Sequence, residues 1–222
     1  QATDRPDIVS RVFRLKLNQM LDDIKKGDAF GKAVAHLAVV EFQKRGLPHA
    51  HILVILAECD RIKSADEIDD AVVAQIPLLP SGPRPTAKDE AERYDQQVLL
   101  HHLVLEHMMH NDCSRNRDAP CLNEEGFCSK GFPKPFRSET TYSEMEIYPD
   151  YCRPRPLPGA SPIKYKNRVV DNRWVVPYSP FLLLKYQAHI NVEVCISIES
   201  VKYLYKYVCK GHDRAMASLD YE

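Results

Sequence analysis

Residues 33–56, AVAHLAVVEFQKRGLPHAHILVIL, hold two β-rich runs on either side of KRGLP. Two such runs joined by a short Gly-containing loop predict a β-hairpin. Side chains alternate faces along a strand, so His49 and His51 point the same way. Folding the hairpin about Gly46 pairs Gln43 with His49 and Glu41 with His51, with opposed Cβ atoms roughly 5 Å apart. These four side chains then share one face. The run from His51 to Leu56 is almost wholly apolar, which predicts a buried strand, where imidazoles and a carboxylate without partners are costly. Two imidazoles and a carboxylate converging there can hold a divalent cation and leave positions open for substrate. Glu41 is favoured over Gln43 as third ligand, because a charged carboxylate suits a hard cation better than an amide.

Working outward, residues 7–26 read as an amphipathic helix carrying Ile8, Val12, Leu15, Leu17, Leu21 and Ile24, closed by Gly27. Beyond the hairpin, the acidic stretch 58–73 and the prolines Pro77, Pro80, Pro83 and Pro85 read as a connector. Residues 88–110 are helical in period, with Ala91, Tyr94, Val98, Leu105 and Met109 in phase. From Asn111 to Pro162 the chain is rich in Pro, Gly and Cys and has little periodicity, so it reads as an irregular insert. VVDNRWVVPY predicts a second hairpin turning at Asp171-Asn172. The apolar stretch FLLLKY follows, then a strand over His189–Ile196. A last helix runs from about Ser197 to Lys210 and stops at Gly211.

That last helix contains VKYLYKYVCKG, residues 201–211. At 100° per residue, Val201, Leu204, Tyr205 and Val208 gather on one side. Tyr203, Lys206, Tyr207 and Lys210 gather on the other, so two phenols at i and i+4 share a face with two lysines. A phenol is a poor nucleophile near neutral pH, since its pKa is about 10. A metal-polarised phosphate with ammonium groups nearby lowers the barrier to its attack.

The bulk properties admit this chemistry without requiring it. The chain has 222 residues, apolar residues at 44%, charged residues at 27% and a formal net charge of −1. That is ordinary for a globular protein, and phosphates would be met locally, not by a globally basic surface. No apolar run is long enough to cross a bilayer, so no membrane partner is expected. Residues 1–7 lack the basic start and apolar core of a signal peptide, and the absent Met suggests a piece of something longer. Seven cysteines make an odd count that argues against a disulfide framework.

Four potential ligands stand at the start of the irregular stretch and within it: His110, Cys113, Cys121 and Cys128, in the spacing H-x2-C-x7-C-x6-C. Three thiols and an imidazole satisfy tetrahedral zinc, and a structural Zn2+ would order a segment that has no core. His107, one turn earlier, is an alternative fourth ligand. Cys59, Cys195 and Cys209 read as ordinary buried thiols.

GLPHAHIL resembles the HUH motif of HUH endonucleases. The stretches RPDIVSRVFRLKL, VVEFQKRGLPHAHIL, CSKGFPKPF, PYSPFLLLKYQAHINVEVC and KYLYKYVCKGHD resemble the Rep domain of Helitron rolling-circle transposases. The resemblance implies an α+β fold with a central antiparallel β-sheet flanked by helices. It would be a single domain over 1–222 with an irregular insert at 107–160, followed in the full-length protein by a helicase. It further implies nuclear single-stranded DNA nicking and strand transfer. Glu41, His49 and His51 would hold Mg2+ or Mn2+, and Tyr203 and Tyr207 would act as nucleophiles. Lys206, Lys210, Lys44 and Arg45 are placed to hold the DNA backbone. Two rivals remain at this point: a zinc hydrolase using the same three ligands on water, and a silent single-stranded DNA-binding module.

Overall fold

The computed structural model describes residues 4–42, 47–113, 119–143 and 146–196, and the backbone of 214–219. In chain order its elements are α1 (Pro6–Lys26), β1 (Ala33–Phe42), β2 (Pro48–Leu56), α2 (Ala65–Ala71), α3 (Lys88–His107), β3 (Ile163–Tyr165), β4 (Arg168–Val170), α4 (Pro180–Tyr186) and β5 (Arg214–Leu219). Helices thus mix with two small antiparallel sheets, β2-β1-β5 and β3-β4. The chain divides into two compact units. One comprises Gln1–Lys63, Glu144–Ile147 and Cys195–Glu222, the other Ser64–Ser143 and Tyr148–Val194.

In the first unit, α1 opens with Pro6, whose missing N–H costs nothing in a first helical turn. Asp7 in that turn and Lys25 and Lys26 in the last complement the helix dipole. Gly27 ends the helix in the left-handed region at φ 84°, its N–H reaching the carbonyls of Asp23 and Ile24. The buried stripe differs from the expected one. Leu17 and Leu21 pack on Ala38 with Phe13, Val40, Ala50 and Ile52 around them, while Leu15 is 71% exposed. Phe13, Leu17 and Leu21 are spaced four apart and face the sheet; Leu15 lies between two of them, on the far side of the helix. Ile8 and Val12 line an open apolar groove with Val9, Phe13, Leu47 and Pro48 instead of entering the core.

The β1–β2 hairpin forms as expected, but its register is shifted by two residues. Glu41 pairs with His49 and Val39 with His51, where Gln43–His49 and Glu41–His51 had been predicted. The parity of faces survives such a shift, because side chains repeat every second residue. Strand β5 was not anticipated; it pairs antiparallel with β1, from Ala35 opposite Leu219 to Val40 opposite Arg214.

The second unit has its core where α3, β4, Val175, Tyr178 and α4 meet, with Val104, Met108, Val175 and Leu183 fully buried. In α3 the buried positions are Ala91, His101, Leu103 and Val104. Of the five residues expected in phase there, Ala91 is buried, and Leu105 and Met109 pack against the cluster as partly buried neighbours. The supposed connector holds α2, capped by a reciprocal Ser64–Glu67 capping box that the sequence S-A-D-E spells out. The second hairpin turns at Lys166-Asn167, not at Asp171-Asn172. Lys166 takes φ 46° there, whereas Asp171 accepts the N–H of Arg173 and starts a single 3-10 turn over Asn172–Trp174. FLLLKY becomes α4, with Pro180 in its first turn. The strand expected at 189–196 is absent among the described residues; Val192 and Val194 make single bonds to the Pro177 carbonyl and the Tyr151 hydroxyl instead.

Between α3 and β3 no helix or strand forms among the described residues, and isolated bridges such as Leu122–Cys128 and Arg137–Arg153 hold the chain. A buried and a half-buried polar side chain brace this region. The Arg153 guanidinium donates to the carbonyls of Asn172 and Val175, each at 2.7 Å. Asn172 accepts from the Ile76 N–H and donates to the Pro154 carbonyl, each at 2.8 Å. Among the described residues no helix is long and apolar enough to cross a membrane.

Candidate functional site

Alternation along β1 and β2 divides the hairpin. Ala38, Val40, Ala50 and Ile52 face α1, so Val39, Glu41, His49 and His51 occupy the opposite face. Glu41 lies directly across from His49. His51 is one pleat further along, and its Nε2 lies 3.6 Å from Glu41 Oε2. The two imidazole rings meet edge to face with centroids 4.8 Å apart. All three side chains are half-buried. The arrangement is an imidazole pair beside a carboxylate, able to share a cation or a proton. Lys44, Arg45 and the alternative ligand Gln43 lie outside the described residues, as do Tyr203, Lys206, Tyr207, Lys210 and Cys209.

A second cluster stands in the other unit. His110, Cys113, Cys121 and Cys128 bring one ligand atom each to within 4.8 Å of one another. His110 Nε2 lies 3.4 Å from Cys128 Sγ and 3.7 Å from Cys121 Sγ. Zinc bonds of about 2.1 Å to nitrogen and 2.3 Å to sulfur put tetrahedral neighbours roughly 3.5–3.8 Å apart. The donor set and its spacing therefore fit a metal such as zinc. Among the described residues this is the group of three or more such ligands that closes on one point. Glu41, His49 and His51 share a face and a short contact without closing as a threesome. The histidine that joins the three cysteines is His110; His107 instead has its Nε2 4.0 Å from Glu106.

Local structure explains the convergence. The His110 N–H donates to the Trp174 carbonyl at 2.8 Å. Its ring stacks on Phe132, 4.2 Å between centroids and 13° from parallel, and Arg168 donates to its carbonyl. Cys121 and Cys128 flank a tight reversal in which Asn123 accepts the Phe127 N–H and Ser129 donates to the Cys121 carbonyl. Burial, then the charges of Arg168 and Lys130, hold the His110 imidazolium below its usual range, which favours the neutral ring a metal needs. Burial, reinforced by the neighbouring thiols, pushes Cys113 up to about 12. Burial also acts to raise Cys128, but the N–H groups of Phe132 and Lys130, together with the Cys113 and Cys121 thiols, outweigh this and bring it below the ordinary thiol value.

Phe132, Arg168 and Trp174 were not singled out in the sequence. The C-S-K-G-F-P-K-P-F stretch, whose first aromatic follows the last ligand by four residues, is the signal that contained one of them. Of the cysteines expected to be buried, Cys59 and Cys195 are exposed.

Comparison with curated proteins gives no match. Residues 1–54, which hold α1, β1 and both histidines of β2, match the family described as Helitron helicase-like domain at N-terminus. The match covers 54 of the 222 residues. It relates the N-terminal part of this chain to Helitrons and sets it in a rolling-circle transposon context.

Proposed function

We propose that the chain is a single-stranded DNA nickase and strand transferase of the HUH type, acting through Tyr203 and Tyr207. The observation that carries this reading is the trio on the hairpin: Glu41 opposite His49, with His51 3.6 Å from the carboxylate. The match of residues 1–54 to a Helitron domain supports it. Glu41, His49 and His51 would hold Mg2+ or Mn2+; imidazole donors suit the manganese ion better than the magnesium ion. The chemistry such a cation supplies is charge neutralisation on the scissile phosphate. The phenol oxygen of Tyr203 or Tyr207 attacks phosphorus in line and loses its proton to solvent or a neighbouring base. The bond from phosphorus to the 3′ oxygen breaks, and that oxygen leaves as a hydroxyl. The 5′ end stays esterified to tyrosine, which preserves the phosphodiester for religation, and the second tyrosine serves the second strand. Lys206, Lys210, Lys44 and Arg45 hold phosphates along the strand. The four-ligand cluster binds a structural Zn2+. A helicase in the same full-length protein and a nuclear setting complete the reading.

Incubating the chain with end-labelled single-stranded DNA and Mn2+ should give a covalent adduct on a denaturing gel. The Tyr203→Phe/Tyr207→Phe double variant should abolish the adduct. Cleavage that persists in the double variant, with no adduct, would identify a hydrolase acting through water.

A further inference from the structure

The segment that follows the last cysteine of the cluster, SKGFPKPFR (residues 129–137), interleaves cations with aromatic rings. Lys134 lies over Phe132, with its Nζ 5.7 Å from the ring centroid. Phe136 sits between two guanidinium groups, Arg155 at 4.9 Å and Arg173 at 4.7 Å. The Lys134 N–H donates to the Arg173 carbonyl at 3.0 Å, so these stacks are neighbours. Not every cation here is available to a partner. Arg173 is tied to Asp171, Arg137 to Asp150, and Arg153 is buried among carbonyls. Lys130 and Arg155 are exposed and form no ion pair among the described residues; Lys134 is half-buried with its ammonium on Phe132, and its charge also acts on the Glu193 carboxyl. One step before Cys128, Phe127 stands 69% exposed on the reversal that Asn123 pins.

A large ring held out to solvent, followed in the chain by cations stacked on rings, is the composition of a single-strand contact. Ring faces take bases, and ammonium and guanidinium groups take the backbone. Glu124 and Glu125 on the same reversal repel phosphate, which leaves Phe127 to a base and the backbone to the segment beyond Cys128. We propose that this cysteine-clipped segment is a second single-stranded DNA contact, separate in the chain from the hairpin histidines. Lys130, Lys134 and Arg155 receive phosphates and Phe127 stacks on a base. The proposal rests on the single-stranded DNA reading above and gives it a surface that the tyrosine helix and the hairpin tip do not supply.

The test is fluorescence anisotropy of a labelled 20-nucleotide oligo-dT with the 222-residue chain, without divalent metal, across a salt series. Lys130→Gln/Lys134→Gln/Arg155→Gln should weaken binding at least tenfold and reduce the slope of log affinity against log salt by about 2, at roughly 0.7 for each phosphate that is no longer neutralised. Phe127→Ala should weaken binding about tenfold and leave the slope unchanged, since a stacked base releases no counterion. Circular dichroism and zinc content equal to the parent's mark each variant as folded, and Lys130→Gln/Arg155→Gln replaces the triple variant if Lys134→Gln costs metal. A folded variant that binds within twofold of a parent which still nicks DNA overturns this surface alone. A parent that leaves oligo-dT unbound overturns the surface together with the nickase reading.

Discussion

Glu41 faces His49 directly across the β1–β2 ladder and meets His51 on the diagonal, with 3.6 Å between Oε2 and Nε2. One carboxylate therefore lies opposite one imidazole and within reach of the other. If the trio holds the catalytic metal, His49→Ala, His51→Ala and Glu41→Gln should each reduce Mn2+-dependent nicking on the order of 100-fold. Raising Mn2+ should restore the Gln variant better than either Ala variant, because the amide keeps one weak oxygen ligand. Nicking at the parent rate in the His49→Ala/His51→Ala variant would remove the metal site from this face.

The four-ligand cluster makes a prediction independent of DNA. The chain should carry one zinc per molecule by elemental analysis, and Co2+ exchanged into it should show thiolate–cobalt charge transfer in the near ultraviolet. Structural zinc contributes folding free energy on the order of 10 kcal/mol in small metal-ordered segments. A strong chelator should therefore unfold residues 107–160 and expose them to protease. Cys113→Ser, at the most buried ligand, should do the same without chelator. Metal-free protein with unchanged protease resistance would contradict the assignment.

Burial raises the Glu193 carboxyl to about 7, against the opposing effects of Tyr151, Lys134 and Arg153. Between the ordinary carboxyl value and about 7, the folded chain thus holds a proton that the unfolded chain has released. Stability then falls as pH rises through that window, since the native state binds more protons there. Glu193→Gln should flatten the fall, by about 2 kcal/mol between pH 5 and pH 8 in urea titrations. An unchanged pH slope would show the carboxyl to be hydrated.

Gly31, two residues before β1, takes φ 90°, and a Cβ there would stand 2.7 Å from Asp60 Cβ. Asp60 cannot yield freely, because its Oδ2 accepts the Lys32 N–H at 2.8 Å. Gly31→Ala should cost about 2 kcal/mol, from left-handed strain plus the displaced carboxylate. Asp60→Ala should relieve the clash in a double-mutant cycle. Additive losses would mean that the two sites do not couple.

Periodicity alone located the long elements. Gly27, the four-residue spacing in α1 and the runs around KRGLP specify a helix and a hairpin through local physics, and both formed. The two histidines and Glu41 reached one face for the same reason, because alternation is a property of the strand itself. The four-ligand set was legible too, since an irregular stretch with three thiols and an imidazole has few other ways to order itself. Partnership between distant segments was not legible. The two-residue register shift, the pairing of β5 with β1, and the choice of Leu103 and Val104 over Tyr94 and Val98 in α3 all depend on which surface arrives opposite. So does the stacking of Phe132 on His110 and of Arg155 and Arg173 on Phe136. Local propensity sets what each segment can become; packing, which pays only when two segments meet, decides which of its faces is used.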